Sequence, residues 1–402
     1  MMETKKVPDL RFREFAEDWK QEKFGNFAHR LSAVQISSPN LPGIEYEDVI
    51  AGEGLLNKDV RKKNLSKRGI MFNGGQVLYG KLRPYLHNWL NPGFKGVAVG
   101  DWWVLNPVEI NQTFLYTLIQ TKRFDYVANI SAGSKMPRAD WNLVSETSFD
   151  IPVSKDEQYK ISSLFNSLDR AVNFYKGKYA KLVALKKSML EKMFPQGDSK
   201  VPELRFKGFS DDWEQRKLSD IAYSFEYGLN AAGKDYDGLH KYLRITDIDD
   251  STHEFLQNNL TSPDADLSKC GNYKLQNGDI VFARTGASVG KTYIYKESDG
   301  LVYFAGFLIR IKIKPNYDAE FIFQNTLTSA YDKYIRITSQ RSGQPGVNAK
   351  EYGDYTLMVP TLREQEKIGK YMRNIDSLIG FYQHKAEKLQ SIKKFMLEKM
   401  FI

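Results

Sequence analysis

The stretch from Ala283 to Thr292, ARTGASVGKT, is rich in glycine and ends in Gly-Lys-Thr. Such residues can hold a nucleotide phosphate: glycines admit the backbone amides, lysine neutralises charge, and threonine reaches a magnesium ion. The spacing is wrong for that chemistry. Four residues must separate the first glycine from the Gly-Lys pair, and only three lie between Gly286 and Gly290. The residues that follow, TYIY, read as a strand, whereas a phosphate loop opens a helix whose amino terminus receives the anion. An ATPase reading therefore fails.

Other catalytic patterns fail too. The chain has no NPPY-like run for amino-group methylation and no FxGxG for S-adenosylmethionine. HExxH and GxSxG are also missing. Cys270 is the only cysteine, and none of the five histidines forms an H-x3-H pair, which excludes an intrachain disulfide and a cysteine-based zinc site. Acids are plentiful, yet spacing singles out no pair. A nuclease whose carboxylates scatter along the sequence stays open. The assignment is catalytic residues none and metal none.

Binding chemistry is better represented. With 58 lysines and arginines against 49 acids, the net charge is +9, which favours a polyanion partner. The glycine stretch has a counterpart in GKLRPY (residues 80–85), also after an apolar strand. Lys81 and Arg83 in one, and Arg284 and Lys291 in the other, would stand on equivalent turns. Residues 57–68 (NKDVRKKNLSKR) carry six cations, Arg61, Lys62 and Lys63 among them, and one acid, suited to phosphate contacts or simply to solvent. Two glycine-containing loops occupy matching positions: SAGSKMPR (131–138) with Lys135 and Arg138, and RSGQPGVN (341–348) with Arg341, Gln344 and Asn348. Arg, Lys, Gln and Asn can read base edges in DNA; an ordinary surface turn is the alternative. Trp102 and Trp103 suit a core better than a stacking platform.

What must position these residues is written twice in the chain. VPDLRFREFAEDWKQEK (7–23) returns as VPELRFKGFSDDWEQRK (201–217), and the segment from Glu157 to Phe194 returns from Glu364 to Phe401. Two globular domains, each followed by a similar arm, account for that order. In the arms Ile161, Leu168, Tyr175, Leu182 and Met189 recur every seventh residue, as do Ile368, Ile375, Tyr382, Leu389 and Met396. A second apolar row holds Leu164, Phe165, Val172 and Leu185, then Met372, Leu378, Ile379 and Ile392. Sustained heptads predict long helices that pair, and a pseudo-two-fold relation between the halves makes that pairing antiparallel. About 38 residues at ~1.5 Å each span roughly 57 Å. The fold class is α+β: two mixed α/β domains separated by two long helices that pair as an antiparallel coiled coil, a pseudo-two-fold tandem repeat. The boundaries expected are a domain over 1–150, a helix over 151–195, a domain over 196–358 with a linker at 196–209, and a helix over 359–402.

The repeated VPELRFxGFxxxW opening, GDIVFARTGASVGKT, the EQxKI arm starts and the KKxMLEKMF arm ends resemble the DNA specificity subunits of type I restriction-modification enzymes. The resemblance covers nearly the whole chain. It implies that each domain is a target recognition domain reading half of a split, asymmetric site in double-stranded DNA, with the helices setting the gap. It implies a subunit that is not an enzyme and binds no cofactor. Two modification subunits would use S-adenosylmethionine to methylate adenine N6, and two restriction subunits would use ATP and Mg2+. No segment is long and apolar enough for a membrane span, and the amino terminus has no apolar signal region, so the expected location is cytoplasmic. The alternative is a stand-alone, sequence-specific DNA-binding regulator joined through its arms. A protein-binding scaffold is a further one.

Overall fold

Strand Ile280–Ala283 is apolar at every position and buried at every position, as expected of a strand covered on both faces. It belongs to one of two compact units in the computed structural model of the chain, which describes residues 7–63, 65–130, 136–341 and 343–402. Unit 1 comprises Met1–Tyr175 with Lys385–Ile402, and unit 2 comprises Lys176–His384.

In unit 1, β1 (Lys20–Lys23) pairs with β6 (Ser148–Ile151). A four-stranded antiparallel sheet has β2 (Ala28–Leu31), β3 (Val77–Gly80), β4 (Trp89–Leu90) and β5 (Trp102–Pro107) in the order β2-β5-β3-β4. A second four-stranded sheet is built from Val34–Ile36, Arg68–Phe72, Gly96–Ala98 and Gly43–Ile44. Helices α1 (Gln112–Leu118), α2 (Lys122–Asn129) and α3 (Trp141–Glu146) follow, with Asn111, Thr121 and Asp140 as their N-caps. These side chains accept from the first free amides of each helix, which sets where it begins.

Unit 2 repeats the plan. Strand β7 (Glu214–Lys217) pairs with β12 (Thr356–Val359). Strands β8 (Ala222–Tyr227), β9 (Ile280–Ala283), β10 (Thr292–Ile294) and β11 (Leu308–Ile313) lie in the order β8-β11-β9-β10, the same as in unit 1. Its short helices run Ala319–Asn325, Ser329–Thr338 and Ala349–Gly353, capped by Asp318, Thr328 and Asn348. Trp102 and Trp103 are buried in unit 1.

The arms are α4 (Lys155–Lys192) and α5 (Leu362–Lys399), each an uninterrupted helix of 38 residues. Each begins against one unit and ends in the core of the other. In unit 1, Met400 and Phe401 pack with Trp19, Phe114 and Phe165. In unit 2, Phe194 stacks on Phe321, 5.3 Å between ring centroids, beside Trp213. Within unit 1 the helix segments run antiparallel: Phe165 meets Phe401, while Asp169 accepts from Lys393 at 2.5 Å. Within unit 2, Lys186 pairs with Asp376 at 2.6 Å. All ten residues of the first heptad row are buried or half-buried. The second row holds at Phe165, Val172, Met372 and Ile379, but Leu185, Leu378 and Ile392 are exposed.

A buried ion pair fastens the start of each helix. Arg11 grips Glu157 with two hydrogen bonds, 2.6 and 2.8 Å, and Arg205 grips Glu364 with two, 2.7 and 2.8 Å. Both glutamates are buried. The charge-assisted bonds to Glu157 and Glu364 raise the guanidinium pKa values of Arg11 and Arg205 above the ordinary value.

Candidate nucleic-acid interface

Strands β3 and β9 each end in a turn bearing a cation, and the two turns are closed by the same three backbone hydrogen bonds. In unit 1, Lys81 N–H donates to Asp101 O at 2.9 Å, Ala139 N–H to Lys81 O at 2.8 Å, and Arg83 N–H to Pro137 O at 2.8 Å. In unit 2, Arg284 N–H donates to Phe307 O at 3.0 Å, Val347 N–H to Arg284 O at 2.9 Å, and Gly286 N–H to Pro345 O at 3.0 Å. The turn after the strand thus meets the loop that leads to the next helix, and both meet the turn before β5 or β11. Arg83 holds φ at +49° and Gly286 at +72°, the left-handed region that glycine enters freely and an arginine rarely does.

The side chains on these equal frames differ. In unit 1, Asp101 pairs with both Lys81 (3.4 Å) and Arg138 (3.2 Å), and Arg83 is exposed. In unit 2 the place of Asp101 is taken by exposed Phe307. Arg284 there lies over the ring of Tyr227, 5.0 Å from its centroid, and no carboxylate pairs with it among the described residues. Lys291 turns inward: its ammonium donates to the Ile248 carbonyl at 2.9 Å and pairs with Asp250, leaving the side chain 11% exposed. The residues after Gly286 form a short 3-10 turn, Gly286–Ser288, and then β10. No helix opens there to receive a phosphate.

The other candidates divide the same way. Lys63 pairs with Glu45 and Asp48, Lys58 with Asp48 at 2.7 Å, and Lys67 with Glu45 at 2.6 Å. Burial pushes the Asp48 carboxyl up, but hydrogen bonds from Lys58, the Glu45 amide and Lys63 outweigh it and hold it below the usual carboxylate range. Arg61, over the Phe94 ring at 5.5 Å, and Lys62 remain exposed. Arg341 is exposed but held by Glu351 and by the Thr338 and Gln340 carbonyls. Asn348 caps its helix, accepting from Glu351 N–H at 2.9 Å. Gln344 is exposed beside Gly286. Lys135 lies outside the described residues.

Three residues at these turns were missed in the sequence: Asp101, Tyr227 and Phe307. Aligning Gly100 with Gly306 would have exposed the Asp101–Phe307 exchange. Among the described residues, no cluster of histidine, cysteine and acids could hold a metal ion, and no helix is long and apolar enough to cross a membrane.

Residues 210–391 match the family described as type I restriction modification DNA specificity domain. The putative type I restriction enzyme MjaX specificity subunit of Methanocaldococcus jannaschii is 29% identical over 199 residues, 48% of this chain and 46% of that one. The MjaVIII specificity subunit of the same organism is 21% identical over 416 residues, covering 94% of this chain and 91% of that one. The chain's match therefore spans about half the length of the first of these relatives and nearly all of the second. The crystal structure of the type I restriction-modification S subunit from M. genitalium shares the fold, with a TM-score of 0.69 at 14% identity over 98% of this chain and 99% of that one.

Proposed function

We propose that this chain, whose residues 210–391 match the type I restriction-modification DNA specificity family, belongs to that family and reads a bipartite, asymmetric sequence in double-stranded DNA. The observation that carries this reading is the turn built twice: one hydrogen-bonded frame with a cation in each unit, and different side chains at positions 101 and 307. Equal frames favour equal docking on phosphate, and unlike side chains favour unlike half-sites. Lys81, Arg83, Arg138 and Arg284, with Arg61, Lys62, Arg341 and Gln344, are the contacts we propose. Lys63, Lys291 and Asn348 are spent on internal bonds, and act by shaping the loops. Proposed boundaries for the reading domains are 1–150 and 196–358, with the arms between and after them.

The chain supplies recognition, and the chemistry belongs to partners. Two near-equivalent arm segments suit two copies of a modification subunit, which would bring S-adenosylmethionine and methylate adenine N6. Two restriction subunits would bring ATP and Mg2+. The working place is the cytoplasm, where the DNA is. Co-expression with the modification subunit, followed by mapping of N6-methyladenine across the host genome, tests this. The expected result is one split motif with two unlike halves and a fixed gap. Tight, specific DNA binding by the chain with no methylation in a stable complex would favour the stand-alone regulator instead.

A further inference from the structure

Unit 2 has a cleft of about 580 Å³ beside the basic turn, lined by Tyr227, Arg244, Arg284 and Phe307 among others. Its floor is backbone pressed close. Leu229 N–H donates to Phe304 O at 2.9 Å and Gly306 N–H to Leu229 O at 2.8 Å. A Cβ on Gly228 would stand 2.1 Å from the Ala305 oxygen, so only glycine fits there. Tyr242 hydroxyl ties the same floor to the Leu229 carbonyl at 2.7 Å. Tyr227 is pinned at both ends: Arg284 covers its ring, and its hydroxyl accepts from Ala349 N–H at 3.3 Å. Phe307 is the member left unpinned. It is 59% exposed at the rim, on a turn whose backbone is fixed by the bonds above.

The lining includes two arginines and no carboxylate. Unit 1 shows how pointed that is. The strand before each 3-10 turn pairs in parallel with the strand before the next turn: Gly43–Ile44 with Val97–Ala98, and Lys241–Leu243 with Val302–Phe304. The same bond caps both 3-10 turns, from Glu45 N–H to Asp48 at 2.8 Å and from Arg244 N–H to Asp247 at 2.9 Å. Glu45 and Arg244 are thus equivalent, as are Asp101 and Phe307. At two matched positions unit 1 carries acids, and unit 2 carries a cation and an exposed aromatic ring.

We propose that Phe307 contacts a base in the half-site read by unit 2, and that position 101/307 is a specificity-determining position in both units. This rests on the DNA-reading function proposed above. Arg284 holds the backbone against the cleft mouth, Arg244 beside it keeps its guanidinium on Asp247 through two bonds of 2.9 Å, and the rigid turn presents the ring to the groove. A phenyl ring meets the apolar C5-methyl of thymine and finds no such partner on cytosine, which offers an amino group. Asp101 in unit 1 has the opposite preference, since a carboxylate accepts from cytosine N4.

The test uses full-length chain, the methylated duplex identified by genome mapping, and single-base variants of it in both halves. Phe307→Ala should lower affinity for the cognate duplex about tenfold and flatten discrimination at one base pair of one half. Phe307→Asp should change the preferred base at that pair. The other half should keep its discrimination in both variants. Ile337→Ala, an equally exposed apolar change elsewhere in unit 2, should leave all of it intact, and thermal melting checks folding. Unchanged affinity and discrimination in Phe307→Ala would overturn the proposal, as would an even loss at every position of both halves. A wild-type chain that binds no duplex selectively would instead remove the DNA-reading function itself.

Discussion

A cation's worth to DNA depends on what holds it beforehand. Among the described residues Arg284 pairs with no carboxylate and covers the Tyr227 ring, whereas Lys81 shares Asp101 with Arg138. Arg284→Ala should therefore weaken DNA binding more than Lys81→Ala, and lower the slope of log K against log salt by about 1. Asp101→Asn should raise affinity for non-cognate duplex by freeing two cations, while relaxing discrimination at the base pair that position 101 reads. Salt-titrated binding measures all three, and equal losses for Lys81 and Arg284 would refute the compensation. A second residue-scale effect concerns acid. His253 sits at φ +57° with Nδ1–H donating to the Thr292 carbonyl at 2.9 Å. Burial holds its imidazole below the ordinary range; that carbonyl opposes the shift, while Lys186 and Lys291 add to it and Asp332 opposes it. The unfolded chain takes up its proton near pH ~6.5 and the folded chain resists. Stability is full above that pH and falls as pH drops through it towards the folded value. His253→Asn, which tolerates the left-handed backbone, should melt with a flatter dependence between about pH 7 and about pH 5.5. An unaltered dependence would acquit His253. The sequence showed the cations but hid their partners: Asp101 lies 20 residues from Lys81, and Glu45 lies 18 residues from Lys63. Only folding brings such pairs together.

Elements were more legible than residues. Heptads fall straight out of the sequence because helical periodicity is local, and both arms are single helices of 38 residues. The short helices Gln112–Leu118 and Ala319–Asn325, seven residues each, follow β5 and β11 in the two units. What periodicity could not show is that each arm ends inside the other unit's core. Phe194 is buried there on Phe321, so Phe194→Ala should cost roughly 3–5 kcal/mol in denaturant unfolding. Breaking the clasp at the arm's start should cost as much for a different reason. Arg205→Ala strands a buried carboxylate at Glu364, a loss of about 3–5 kcal/mol, and Glu364→Gln in that background should recover part of it. A loss below about 1 kcal/mol in Arg205→Ala would mean the pair is solvated in solution.

For the molecule as a whole, the uninterrupted arm is the feature to test. A four-residue insertion at exposed Gly177 adds ~6 Å of helix, nearly two base-pair steps of ~3.4 Å. The methylated motif should gain one or two base pairs in its gap and keep both halves; an unaltered gap would exclude α4 from setting it. One further feature reaches past the helices. Leu10 N–H donates to the Lys399 carbonyl at 2.8 Å, and Leu204 N–H to the Lys192 carbonyl at 2.7 Å. The same stitch thus joins an arm's end to an opening segment in both units, Lys399 with Leu10 in unit 1 and Lys192 with Leu204 in unit 2, so each unit closes a helix end in the same way with its own copy of the repeated opening.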